Sequence, residues 1–122
     1  MNTKKILLVS SDRDITGIIK TSALTLTKLN CQVSITETAV AETAVRESGS
    51  VNLDLIIIDL DGTGYDSLRL IKDIRSGKNS GSKKIFSIHS KTVNPDEVFA
   101  AGCDSIMRKD EFKKVVNNIL QF

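Results

Sequence analysis

The sequence predicts an α/β fold, a single doubly wound five-stranded parallel sheet with helices on both faces. Short apolar runs alternate five times with amphipathic stretches of helical spacing along the 122 residues. The third run is apolar at every position of its core, residues 55–58, which is typical of a central parallel strand buried on both faces. Such an alternation forms right-handed crossovers, and these place helices on both sides of the sheet.

The first half of the chain supplies two strand–helix pairs. Residues 5–9 predict a buried strand, and the apolar spacing over residues 15–29 predicts the first helix. Residues 31–35 alternate apolar and polar side chains, like a strand near the sheet edge. Thr38 is expected to cap a short second helix, which Gly49 ends.

The third strand is predicted over residues 53–60, which contain the most apolar run of the chain. Asp66 is expected to cap the helix that follows, and Gly77 lies near the end of that helix. Residues 84–90 predict the fourth strand.

The last two helices have clear start signals. Asn94 is a capping residue, and Pro95 suits the first helical position because that position needs no N–H donor. Gly102 ends this helix after about two turns. Residues 105–108 predict the fifth strand, and Asp110 is expected to cap the final helix.

Length and composition predict one domain over residues 1–122, with no effector domain. Hydrophobic residues make up 40% and charged residues 26% of the chain, and 17 Lys and Arg against 15 Asp and Glu leave a net charge of +2. So small a charge argues against nucleic-acid and membrane partners. No apolar run is long enough for an export signal, so we expect a cytoplasmic protein in which Cys31 and Cys103 are packing residues.

Polar residues follow the strands at the edge where parallel sheets form their sites. Asp59 follows four apolar strand residues directly, where a carboxylate is costly to bury without a partner. Lys109 follows the fifth strand, which we expect beside the third, so the lysine is the natural partner. The pair allows two roles: a nucleophile or phosphate acceptor with a phosphate clamp, or a salt bridge between two strand ends. The other polar residues at this edge are Ser10, Ser11, Asp12, Asp61, His89 and Ser90.

Four segments carry a resemblance to a known family: KKILLVSSDRDI, LDLIIIDLDGTGYDSLRLIKDIR, KIFSIHS and AAGCDSIMRKDEF. Over nearly its whole length the chain resembles the receiver domain of bacterial two-component response regulators, with its CheY-like, flavodoxin-like (βα)5 fold. The resemblance implies that Asp59 is the phosphoacceptor and that Lys109 contacts the phosphate. His89 occupies the place of a Thr or Ser that follows the phosphate, and Ser90 beside it could supply the hydroxyl; both are therefore expected to contact phosphate.

The sequence departs from the family at the metal site and at the switch. Two acidic residues normally follow the first strand and hold Mg²⁺ with the acceptor, but this chain has Ser10 and Ser11 there. Because Mg²⁺ prefers carboxylate oxygens in octahedral geometry, a site left with Asp59 and Asp61 is expected to bind it weakly. In the family the fifth strand carries an aromatic residue that takes part in the conformational switch, and this chain has Ile106 at that position.

These departures predict a pseudo-receiver: a stand-alone response-regulator receiver-like domain in two-component or phosphorelay signal transduction, with impaired Mg²⁺-dependent phosphorylation at Asp59. Asp12 follows the two serines but matches a position that is usually not a ligand. The domain is expected to act by contact with a protein, either a histidine kinase, a phosphotransfer protein or a downstream effector, and to be a monomer or weak homodimer. The resemblance places the contact surface on the fourth helix, fifth strand and last helix, which carry Val98, Phe99, Ile106, Arg108, Lys113 and Lys114.

Two alternatives stay open. The first is a phosphorylatable receiver that uses Asp59 as its acceptor. The second follows from the segment IIIDLDGT, which also resembles the first motif of haloacid dehalogenase-like phosphatases. In that family's mechanism Asp59 would be the nucleophile and Asp61 the acid/base. Ser87 or Ser90 would supply the Ser/Thr, and Lys109 the Lys, of the motifs that come later in the chain. That motif usually lies on the first strand of its fold, so we prefer the interpretation that the chain is not an enzyme.

Overall fold

The structure, a computed structural model that describes residues 2–121, is built on one five-stranded parallel sheet with five helices. In chain order the elements are β1 (Asn2–Val9), α1 (Arg13–Lys28), β2 (Cys31–Thr38), α2 (Ala41–Ser48), β3 (Leu55–Asp59), α3 (Ser67–Ser76), β4 (Ile85–His89), α4 (Pro95–Ala101), β5 (Ser105–Arg108) and α5 (Lys109–Gln121). The strand order is β2-β1-β3-β4-β5, which confirms the predicted doubly wound fold.

An apolar core fills each face of the sheet. In β3, Ile56 and Ile58 pack in the core beneath α2, α3 and α4, whereas Leu55 and Ile57 pack in the core beneath α1 and α5. All four side chains are buried, and each contributes roughly 1.5–3 kcal/mol by leaving water. The central strand is therefore apolar on both faces because helices cover both, as the run at residues 55–58 predicted.

β2 is longer than predicted, and this changes the start of α2. The strand pairs with β1 as far as Val9↔Thr38, so Thr38 belongs to the sheet. The prediction that Thr38 caps α2 is wrong, because the N-cap residue is Val40, which has no side-chain capping hydrogen bond. Thr38 Oγ1 instead accepts a hydrogen bond from the Val40 N–H at 3.1 Å.

The predicted starts of α3 and α4 are confirmed. The Asp66 side chain accepts from the Arg69 N–H, and the Asn94 side chain accepts from the Asp96 N–H. Gly102 ends α4 with φ 125°, a left-handed conformation that favours glycine.

The last strand and helix differ from the prediction in two ways. α5 begins at Lys109, directly after β5, so Asp110 lies in its first turn and is not its cap. β5 also does not lie beside β3, because β4 separates them in the sheet. Lys109 therefore reaches Asp59 from a helix start, across the end of the intervening strand. Within residues 2–121, no helix has the length and apolar character needed to cross a membrane.

Candidate functional site

The Lys109 ammonium lies among three carboxylates at the carboxyl edge of the sheet. Its Nζ is 2.9 Å from Asp59 Oδ2, 3.0 Å from Asp12 Oδ2 and 3.2 Å from Asp61 Oδ2. The lysine side chain is 8% exposed and that of Asp59 is 1% exposed. The structure thus brings together the two residues singled out from the sequence, and it adds two further acids to the pair.

Both oxygens of the Asp59 carboxylate are engaged. Oδ2 accepts a 2.7 Å hydrogen bond from the Ser10 hydroxyl and faces Lys109, while Oδ1 accepts from the Asp61 N–H at 2.9 Å. The cost of burying this carboxylate is offset by an ion pair and two hydrogen bonds. Ser10 is therefore a hydrogen-bond donor to Asp59.

Asp61 ties the turn after β3 to the loop after β4. Its Oδ2 accepts from the Ser90 N–H at 2.6 Å, and its Oδ1 accepts from the Lys91 N–H at 3.2 Å. Burial alone would raise the pKa of the Asp61 carboxyl, but the two amide hydrogen bonds and Lys109 outweigh it. The pKa therefore lies below its ordinary value, and Asp61 is an anion at neutral pH.

Asp12 is the site residue whose role the sequence reasoning missed. It is the N-cap of α1, where Oδ1 accepts from the N–H groups of Asp14 and Ile15. Its other oxygen is left to face Lys109. Burial would raise the pKa of Asp12, but the hydrogen bonds and the lysine charge lower it overall. The sequence signal for this role is an aspartate at a helix cap directly after a strand. One oxygen of such a residue caps the helix, and the other can face the side chains at the carboxyl ends of the strands.

The charges of the site do not balance. Burial would lower the pKa of Lys109, but its hydrogen bonds and ion pairs with Asp59, Asp12 and Asp61 outweigh that effect and raise it. One protonated ammonium therefore faces the two anions Asp12 and Asp61 as well as Asp59, and the site keeps an excess of negative charge.

Tyr65 is a second residue that sequence reasoning missed. Its hydroxyl oxygen lies 2.6 Å from the carbonyl oxygen of Asp59 and 3.2 Å from that of Val9, so it links the ends of β3 and β1. Burial first, and then the charges of Asp59 and Asp61, raise the pKa of the phenol, which keeps it a donor. A Cβ at residue 62 would come within 1.9 Å of this hydroxyl, so the ring requires Gly62 beneath it.

The end of β4 contributes backbone rather than side chains to this site. The imidazole Nδ1 of His89 lies 2.8 Å from the Lys91 carbonyl oxygen, where its donor or acceptor role depends on the tautomer. Ser90 is exposed, and its backbone N–H is the group that contacts Asp61. Ser11 is also exposed, beside the buried Ser10. Of the two residues at the end of β4 that were expected to contact phosphate, Ser90 thus reaches the site through its backbone N–H and not through its hydroxyl.

Two other predicted residues lie inside the fold. Ser87 is fully buried, with its Oγ 3.0 Å from Cys103 Sγ, so it does not reach Asp59. Cys31 and Cys103 are both free and buried, as predicted. Burial raises the pKa of the Cys103 thiol against the lowering effect of its hydrogen bonds, which fits a packing residue.

The expected contact surface on α4, β5 and α5 is smaller than the sequence indicated. Val98 is 3% exposed and packs in the core, because α4 turns that face to the sheet. Ile106 is half-buried against the same core, and Phe99 is 48% exposed. Phe99 is thus the large apolar side chain that this surface offers.

Mg²⁺ does not fit the site as it is arranged. The ion needs near-octahedral oxygen ligands at about 2.0–2.1 Å. Here three carboxylate oxygens converge at 2.9–3.2 Å on an ammonium, and Asp59 is further occupied by the Ser10 hydroxyl and the Asp61 amide. Within the part of the chain that the structure describes, no three His, Cys, Asp or Glu side chains are placed to hold a metal ion. The Lys109 ammonium supplies the positive charge that these carboxylates contact.

Comparison with known proteins gives matches in structure alone. No protein-family model matches the sequence, and no curated protein is similar enough in sequence to count as a match. Among solved structures, the chain is similar to the receiver domain of a sensor histidine kinase from Pseudomonas aeruginosa, solved with magnesium in its active site cleft. The identity is 21%, the TM-score 0.78, and 98% of this chain and 95% of that chain are covered.

Two further structures are similar to the same extent. The chemotaxis response regulator CheY4 of Vibrio cholerae is 17% identical with TM-score 0.79, and 98% of each chain is covered. The response regulator Rcp1, in its Mn²⁺-bound form, is 15% identical with TM-score 0.78, and the match covers 98% of this chain and 93% of that one. The sheet order, the four helical crossovers α1–α4 and these matches agree: the chain has the CheY-like fold of response regulator receiver domains.

Proposed function

We propose that the chain is a receiver-like domain of two-component or phosphorelay signalling in which Mg²⁺-dependent phosphorylation at Asp59 is impaired. It acts by contact with a protein partner: a histidine kinase, a phosphotransfer protein or a downstream effector. The fold supports the class, and the carboxyl edge of the sheet is where such a fold carries its site.

One observation supports the proposal above the others: the Lys109 ammonium is the shared counter-ion of the Asp59, Asp12 and Asp61 carboxylates. The Asp59 oxygen that faces the lysine also accepts from Ser10. Phosphoryl transfer needs a free attacking oxygen and cations that neutralise the developing charge. With both Asp59 oxygens engaged and the acidic pair replaced by Ser10 and Ser11, Asp59 is a poor acceptor and Mg²⁺ binding is weak.

The geometry disfavours the phosphatase alternative. A general acid must release a proton to the leaving group, so its pKa should lie near the working pH. The pKa of Asp61 is lowered instead, and its carboxylate is held by two loop amides and by Lys109. We therefore propose a signalling module and not an enzyme, and we expect Asp59→Asn and Asp61→Asn to leave any background ester hydrolysis unchanged.

Exposed side chains on α4 and α5 support the proposal of a protein partner. Phe99 on α4 and Lys114 on α5, both residues of the expected contact surface, are exposed. The near-neutral charge of the chain favours a protein over a nucleic acid. A cytoplasmic monomer or weak homodimer is the form that we propose.

Formation of a beryllofluoride adduct at Asp59, followed by ¹⁹F NMR at millimolar Mg²⁺, tests the proposal. The wild-type chain should form none, whereas Ser10→Asp/Ser11→Asp, which restores the acidic pair, should form one. Ser34→Asp/Ser82→Asp is the matched control, because it adds the same charge at two exposed serines away from the site. A stable adduct on the wild-type chain would favour the phosphorylatable receiver and remove our proposal.

A further inference from the structure

Three donors converge on the Asp61 carboxylate from outside its own turn. They are the N–H groups of Ser90 and Lys91, at 2.6 and 3.2 Å, and the Lys109 ammonium at 3.2 Å. Two consecutive backbone amides together with an ammonium form a concave group of donors that suits an oxyanion. Because Ser90 and Lys91 follow β4 in a loop, sheet pairing does not account for the direction of their amides.

The Asp61 carboxylate reaches these donors from a backbone position that is itself fixed. Its own N–H donates to Asp59 Oδ1, which fixes the turn after β3. Its side chain is 11% exposed, so the anion is largely removed from water. Charge-assisted hydrogen bonds of this kind are about twice as strong as neutral ones, so the loop after β4 is held firmly.

Asp59 lies against the same ammonium, with its Oδ2 2.9 Å from Lys109 Nζ. A phosphoryl group on Asp59 would carry oxygens into the space between Asp59 and these donors. The Asp61 carboxylate already occupies the donors there, with two oxygens and one negative charge. Any incoming oxyanion would have to displace it and would meet its repulsion.

We propose that Asp61 is a tethered anion, which fills an oxyanion site formed by the Ser90 and Lys91 amides and the Lys109 ammonium and anchors the loop after β4 without a phosphate. The ligand class of the vacated site is a small tetrahedral oxyanion. Any effect of Asp61 on signalling rests on the proposed function. The oxyanion site itself can be tested without phosphoryl transfer.

The test removes the tethered carboxylate and titrates inorganic phosphate, following the Ser90 and Lys91 amides by ¹⁵N NMR. Asp61→Ala should bind phosphate at these amides at least about tenfold more tightly than the wild-type chain. Asp73→Ala is the control, because it removes one carboxylate at an exposed position of α3 and so makes the same change in net charge. If Asp61→Ala binds no better than Asp73→Ala, the oxyanion site does not exist.

A second variant covers the case in which Asp61→Ala does not fold. Asp61→Asn keeps the shape and removes the charge, so hydrogen exchange at the Ser90 and Lys91 amides should quicken about tenfold, with α1 unchanged. Unchanged exchange would overturn the tethered anion. A wild-type chain that forms no beryllofluoride adduct, together with an Asp61→Ala variant that binds no phosphate, would leave the proposed function standing and remove this inference alone.

Discussion

A cation at the amino ends of the strands (the amino edge of the sheet) and a cation at their carboxyl ends (the carboxyl edge) are satisfied in opposite ways. At the amino edge, Arg75 donates to one carboxylate, Asp104, at 2.7 Å. Its remaining hydrogen bonds go to the backbone carbonyls of Gly81, Lys83 and Gly102. At the carboxyl edge, Lys109 faces three carboxylates.

The difference separates a structural clamp from a site. The planar fork of Arg75 joins the end of α3 to the two loops before β4 and β5, with one negative charge for one positive charge. Lys109 leaves an excess of negative charge, which a clamp would not need. Stability accounts for the amino edge, whereas the carboxyl edge keeps an unbalanced arrangement of the kind found at functional sites.

The largest expected effect comes from removing the cation of the carboxyl edge. Lys109→Met leaves three carboxylates without their counter-ion, so the free energy of unfolding should fall by roughly 3–5 kcal/mol, measured by urea denaturation. The control is Lys113→Met, which breaks the exposed pair with Asp14 and should change stability by less than about 1 kcal/mol. Equal effects of the two substitutions would mean that the carboxyl edge is an ordinary surface.

Arg75→Lys tests the amino edge. A lysine keeps the charge but cannot serve three carbonyls and Asp104 together, so stability should fall by about 2 kcal/mol. The response to beryllofluoride and phosphate should stay as in the wild-type chain. A change in either response, with the carboxyl edge untouched, would break the distinction between the two edges.

Tyr65→Phe gives a smaller loss at the carboxyl edge. The variant removes the hydroxyl that links the carbonyls of Asp59 and Val9, so stability should fall by about 1 kcal/mol, measured by thermal or urea unfolding. The apolar contact of the ring with its core is kept. No loss at all would show that the link between β1 and β3 contributes nothing.

The pH dependence should show the smallest effect. The pKa values of Asp12 and Asp61 lie below the ordinary value of 3.8 in the folded chain, so their stabilisation is present above that pH and is lost as the pH falls through the lowered values. The stability difference between the wild-type chain and Asp61→Asn should therefore stay constant well above pH 3.8 and shrink as the pH falls below that value. A difference for Asp61→Asn that is constant with pH would contradict the lowered pKa.

The fold could be predicted because local patterns determine most of it. Apolar runs located all five strands, and the caps Asp66 and Asn94 located two helix starts. Thr38 could not be assigned correctly, because pairing along β1 extends the strand through it. No local pattern reports strand order either, so the position of β4 between β3 and β5 was missed.

The sequence placed Asp59, Lys109, Asp61 and Asp12 at one edge of the sheet, but it indicated the contact only between Asp59 and Lys109. Asp59 and Lys109 stand out because a charge beside a buried strand needs a partner. The role of Asp12 depends on the cap of α1, which uses one of its oxygens and directs the other to Lys109. The role of Asp61 depends on the direction of two loop amides after β4. Both are tertiary relationships that residue spacing does not encode.

Intact-mass spectrometry after incubation with a small phosphodonor and Mg²⁺ measures phosphorylation of Asp59 itself. We expect no mass change for the wild-type chain, because the Asp59 oxygens are engaged and Asp61 fills the oxyanion donors. Ser10→Asp/Ser11→Asp should gain one phosphoryl group, adding Asp61→Asn should speed that gain, and adding Asp59→Asn should abolish it. A wild-type chain that gains a phosphoryl group, and loses that gain on Asp59→Asn, would show that phosphorylation at Asp59 is not impaired.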